Sequence, residues 1–161
     1  MAIEFYVKVT RSVPWSALRD RIDCTLQERI AAPVRLQVGD DPETLTIGEH
    51  ELHLTLRADN EEVVDLSVSS IPEDPAEPLD TGWSAHVAIW RFDEAFLIGV
   101  VVAAALAELN GTPVIDDSGL LKGERLREPG EVFALVHAGA SLREAARRTR
   151  RALGLRVDDD T

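Results

Sequence analysis

The spacing of apolar and polar positions changes several times along this chain, and each change marks an element. Near the start, Ile3, Phe5, Val7 and Val9 alternate with Glu4, Tyr6 and Lys8. A two-residue period sends alternate side chains to opposite faces and predicts a strand with one buried face. From Ser12 the spacing becomes three and four: Trp15, Leu18, Ile22, Leu26 and Ile30 make one stripe of a helix ending near residue 30. Ser12 is placed to cap its first amides, and Pro14 suits its first turn.

Alternation returns in Val34–Val38, Leu45–Ile47, Leu52–Leu56 and Val64–Val68, which are separated by GDDPE, Gly48-Glu49 and ADN. Four short strands joined by tight turns predict an antiparallel meander. The next stretch, IPEDPAEPLDTG, holds Pro72, Pro75 and Pro78; proline cannot donate to a ladder, so this is a loop. Residues 83–91 read as a further strand. Asp93 is the expected N-cap of a helix over 93–110 that is apolar nearly all round, with Gly99 and Ala103 to Ala105 allowing close approach to a sheet. Gly111 fits a left-handed C-cap, and 112–116 is long enough for a short strand. This strand–helix–strand unit suits a right-handed crossover that adds one parallel strand.

Residues 118–131 read as mostly irregular, and VFALVHAGA fits a short helix or a strand. Ser141-Leu-Arg-Glu144 is a capping box, followed by an inner stripe of Leu142, Ala145, Ala146, Thr149 and Leu153. Arg143, Arg147, Arg148, Arg150 and Arg151 occupy the outer face. The last seven residues, 155–161, are expected to fray. The predicted architecture is α+β: an antiparallel meander sheet extended by the first strand and by the strands flanking the apolar helix, with helices packed on it, in one domain over 1–161.

The composition, 45% hydrophobic and 29% charged, is that of an ordinary globular chain. Its longest apolar run, Ala95 to Ala107, falls short of the roughly 20 residues a bilayer span requires, which points to a buried helix rather than an anchor. Cys24, the only cysteine, can form no intramolecular disulfide and is expected on or near the buried stripe of the first helix. The opening MAIEFYVKV has none of the features of a secretory signal, so cytoplasmic localisation is the expectation.

Charge changes the picture more. Residues 1–38 carry four acids and six bases, residues 81–161 twelve acids and ten bases, and residues 39–80 thirteen acids against Arg57 alone. The net charge of −12 therefore matches that of the central third. Concentrated like charge weakens a compact state, repels nucleic acid and speeds association with a cationic partner. The expected binding surface comprises Asp40, Asp41, Asp59, Glu61, Glu62, Glu73, Asp74 and Glu77, with Trp83 or Trp90 adding apolar contact.

An alternative site is a pocket where Asp116 and Asp117 leave a strand, the place where open α/β sheets hold ligands. DDSG is also strongly turn-like, and adjacent strand residues point to opposite faces, which opposes two convergent carboxylates. His50 and His53 lie three apart in a predicted strand, on opposite faces, and HELH is one residue short of the zincin spacing. No metal ligand set, cofactor motif or catalytic signature is read, no nucleic-acid or membrane partner is expected, and oligomeric state is not legible.

In size, acidity and strand–helix organisation the whole chain resembles the small single-domain immunity proteins that bacteria make against their own secreted toxins. That resemblance implies a cytoplasmic, non-catalytic protein that occludes a basic protein surface. It carries no motif, so no residue role is transferred.

Overall fold

The computed structural model describes residues 3–38, 45–70 and 82–158. It confirms the α+β class. Strands β1 (Ile3–Val9), β3 (Leu36–Val38), β5 (Leu52–Ala58), β6 (Glu61–Ser70), β7 (Trp83–Ile89), β8 (Val114–Ile115) and β9 (Leu126–Arg127) form one sheet in the order β3-β5-β6-β7-β1-β8-β9. Every ladder in it is antiparallel. Strands β2 (Val13–Pro14) and β4 (Thr46–Ile47) pair separately.

The alternating residues do what their period predicts. Phe5, Val7 and Val9 of β1, Leu54 and Leu56 of β5, Val64, Leu66 and Val68 of β6, and Ala85, Val87 and Ile89 of β7 are all buried. Against β1, β6 and β7 lies helix α2 (Asp93–Asn110), in which every residue from Ala95 to Ala107 is buried. A helix apolar on all sides needs cover on all sides. That cover comes from α1 (Trp15–Arg29), α3 (Pro129–Ala134) and α4 (Leu142–Ala152), which pack on α2. Gly99 lets α2 sit tight on the sheet, since a Cβ there would come within 2.3 Å of the Ile89 side chain. Among the described residues no helix is long and apolar enough to cross a membrane.

Several expectations are corrected. The 45–47 strand does not stand between β3 and β5, which pair directly; it pairs with β2 instead. The Leu45 carbonyl takes the Trp15 amide at 2.9 Å, so Val13–Pro14 are strand, α1 begins at Trp15, and Ser12 is not its cap. The crossover does join two strands running the same way, β7 and β8, but β1 lies between them, and no parallel ladder forms in the sheet. Cys24 is exposed, its thiol 3.6 Å from Glu28 Oε1.

Phe92, not Asp93, is the N-cap of α2; Asp93 is buried in the first turn. Gly111 is left-handed at φ 68°, as a C-cap of this kind requires. In α4 the Ser141 side chain accepts from the Glu144 amide at 3.2 Å, and the expected inner stripe is buried. The tail is not frayed as far as Asp158: its backbone amide donates to Asp93, and its carbonyl accepts from Arg147.

Candidate functional site

The β5–β6 hairpin turns on Asp59 and Asn60, both at positive φ (51° and 72°), the pairing a two-residue type I′ turn demands and Asn and Asp tolerate best. The turn is fixed from the side. Asp59 Oδ1 accepts from the Arg35 amide at 3.1 Å, and the Asp59 amide donates to the Arg35 carbonyl at 3.0 Å. Glu61 and Glu62 follow as the exposed start of β6. Three of the predicted acidic residues therefore share one rigid hairpin tip.

Two further acidic residues join them there. A cleft of about 490 Å³ is lined by Asp59 and Glu61 of the hairpin, Glu94 of α2, and Asp158 of the C-terminal segment. Val63, Phe92 and Leu142 supply apolar lining, and Arg143 is the basic residue of the wall, with Nε 3.8 Å from Glu94 Oε1. The exposed indole of Trp90 lies at the same end of the sheet, because the Trp90 amide donates to the Val63 carbonyl at 3.1 Å.

Asp158 is held by a buried network centred on Asp93, the neighbour of Glu94 in α2. Asp93, 1% exposed, receives Arg147 Nε on Oδ2 and Arg150 Nε on Oδ1, each at 3.3 Å. It also accepts from the Asp158 amide at 3.1 Å, while its own amide donates to Asp158 Oδ2 at 3.1 Å. Two of the arginines expected on the outer face of α4 thus serve a buried carboxylate on α2, and this ties the chain terminus to the rim of the cleft.

The other predicted residues are placed differently. Trp83 opens β7 opposite Val9 and Ser70 and packs partly buried against the core. A seven-residue strand spans about 20 Å, so it is far from Trp90. Glu49 and Glu51 precede β5 and Asp59, Glu61 and Glu62 follow it, while Asp65 lies mid-sheet opposite Thr55, so the described acidic residues of the central third do not gather in one place. Asp40, Asp41, Glu73, Asp74 and Glu77 lie outside the described residues.

Asp116 is buried, and both oxygens of its carboxylate are engaged by the turn it starts. Oδ1 accepts from Ser118 Oγ at 3.2 Å and the Leu120 amide at 3.3 Å, and Oδ2 from the Leu121 amide at 2.9 Å. Asp117 is exposed and paired with Arg125. The two carboxylates do not converge.

Two of the four histidines, His53 and His86, lie on the outward face of the sheet, whereas His50 precedes β5 rather than sharing its strand with His53, and His137 follows α3. His86 stacks on Tyr6 with ring centroids 4.9 Å apart and sets Nε2 3.2 Å from Glu4 Oε1, while His53 Nε2 lies 3.8 Å from Asp65 Oδ1. The Tyr6 hydroxyl donates to Glu4 Oε2 at 3.1 Å. Its pKa is raised, first by burial, then by that bond and the nearby negative charge of Glu4 and Asp117. Among the described residues no group of three His, Cys, Asp or Glu side chains could hold a metal ion.

Sequence reading missed Glu94, Asp158, Arg143 and Phe92. The signals available were faint: an acidic pair opening the apolar helix, and an acidic run at the end of the chain. The chain matches no protein-family model, no curated protein and no solved structure.

Proposed function

We propose that this protein is a non-catalytic binding protein that seats a basic surface of another protein on the hairpin end of its sheet, in the manner of a bacterial toxin-immunity protein. The observation that carries this reading is the cleft in which Asp59, Glu61, Glu94 and Asp158 come together around apolar lining, with the exposed Trp90 at the same end of the sheet. Carboxylates around an apolar floor suit lysine or arginine side chains, whose stems need cover and whose heads need counter-charge. Tryptophan is among the residue types that most often anchor such an interface.

The alternative pocket at Asp116 gains no comparable support, since that carboxylate accepts from Ser118, Leu120 and Leu121 within its own turn.

The test is kinetic. The partner to use is the product of a toxin gene found next to the gene for this chain. With Asp59, Glu61, Glu62 and Glu94 all changed to lysine, association with that partner should slow by about tenfold or more at low salt and lose most of its dependence on ionic strength. Trp90→Ala should instead speed dissociation. Unchanged rates in both variants, with folding intact, would remove this surface from the reading; a metabolic operon as the genomic setting would remove the immunity role.

A further inference from the structure

β3 is the outermost strand on its side of the sheet. The Asp59 amide bonds the Arg35 carbonyl, so by alternation Gln37 also turns its backbone groups towards β5, while Leu36 and Val38 turn theirs outward. Among the described residues no strand pairs with that outer edge. The Leu36 carbonyl is taken by a side chain instead: Arg19 Nη2 of α1 donates to it at 3.0 Å.

Two clefts flank this edge and share Arg19 and Leu36 in their walls. One, of about 550 Å³, lies between β3 and α1 and has Leu26, Ile30 and Val34 in its lining. The other, of about 460 Å³, is lined on the sheet side by Gln37, Thr55 and Arg57.

We propose that this edge binds an extended segment of a partner protein as an added strand, displacing Arg19 from Leu36. An edge strand beside a helix, with a groove between them, is the geometry in which peptides extend a sheet: main-chain bonds give affinity, and alternate side chains give specificity. A backbone N–H of the incoming strand replaces the Arg19 donor on Leu36. Side chains on the α1 side enter the cleft that Arg19, Asp23 and Gln27 also line, and apolar ones gain cover there from Leu26, Ile30 and Val34.

Charge selects the residues between them. Arg19 lies 3.7 Å from Asp23 and Arg57 lies 3.2 Å from Glu62, whereas exposed Arg35 has no carboxylate partner among the described residues. The occupant is thus an alternating segment whose polar positions are acidic. It differs in charge from the partner surface proposed for the hairpin cleft, and neither reading depends on the other.

The probe is a short blocked peptide of alternating valine and glutamate, with its valine–lysine counterpart as the control. On adding the first to the full chain, amide exchange at Leu36 and Val38 should slow by at least about tenfold, with no such change on adding the second. Arg19→Ala should tighten binding several-fold by vacating the Leu36 carbonyl. Val38→Pro should abolish binding while leaving the ladder to β5 intact, since that amide points outward. The peptide result on the unaltered chain stands even if the proline variant fails to fold. No protection at these two amides, equal protection by both peptides, or protection that grows with protein concentration in the absence of peptide would each overturn the proposal, the last by showing that a second copy holds the edge.

Discussion

Burying a carboxylate costs several kcal/mol unless its neighbours return that energy. Asp93, at 1% exposure, is compensated by Arg147, Arg150 and the Asp158 amide. Asp93→Ala would take away the carboxylate that Arg147 and Arg150, each under 15% exposed, both bind. The expected loss is about 3–5 kcal/mol, read as a lower urea midpoint at unchanged slope, together with faster exchange at the Asp158 amide.

Asp23 behaves oppositely. Burial, with help from Asp20 and against Arg19, raises its carboxyl pKa above 3.8, so the ionised form works against folding. What Asp23 contributes is present at acid pH, below its ordinary value, and is lost as pH rises through the raised one. Asp23→Asn should be no less stable than the unaltered chain at neutral pH, and a clear destabilisation there would contradict this account.

Tyr6 is the only tyrosine, so ultraviolet absorbance follows its ionisation alone. Its raised pKa means that its contribution is present below 10.0 and is lost as pH climbs through the native value. Glu4→Gln should bring that midpoint down without restoring it fully, because burial is the larger cause.

At the scale of elements, the contact of α2 with β7 argues most sharply. Glycine inside a helix ordinarily costs about 1 kcal/mol relative to alanine, so Gly99→Ala would be stabilising if the position were open. With Ile89 within 2.3 Å of the new Cβ, overpacking should outweigh that gain and leave a net loss of about 1–3 kcal/mol. In a double-mutant cycle Ile89→Ala should cost less in the alanine background than in the native one; simple additivity would mean that the close approach is not felt.

The extent of this helix was legible from its sequence, and so were the alternating faces of β1, β5 and β6, because burial on one side or all round is written directly as a period. Pairing was less legible. Leu45 and Ile47 alternate like any strand, but nothing in that alternation says that their partner is Val13–Pro14 rather than the neighbouring hairpin; the choice is made by the backbone amide of Trp15, which needs an acceptor when α1 starts there. Asp93 illustrates the same limit. An acid before an apolar run reads as a cap, and only the distant Arg147 and Arg150 turn it into the centre of an ion network. The acidic hairpin could be read from Asp59, Glu61 and Glu62, whereas Glu94 and Asp158 come from two other elements and meet it only through folding.

For the molecule as a whole, charge is distributed by topology rather than by segment. Of the central third, the described acidic residues separate to the two ends of β5 and, in Asp65, to mid-sheet, and the hairpin group gains its company from α2 and from the C-terminal segment. That segment links stability to the proposed binding surface, since Asp158 both bonds Asp93 and lines the cleft. Truncation before Leu155 should therefore act twice. Loss of the Asp158 contacts and of partly buried Leu155 should cost about 2 kcal/mol, a fall in Tm of roughly 4–8 °C for a domain of this size. The cleft should lose one acidic wall, so association with a basic partner should slow further than the lower stability explains. Asp158→Asn isolates the second effect, because the backbone amide and carbonyl that hold the tail remain in place and asparagine keeps a side-chain oxygen for the Asp93 amide. A slower association rate at nearly unchanged Tm is expected for that variant. If the rate instead follows Tm across both variants, the segment is a strut, and the binding surface lies elsewhere on the sheet.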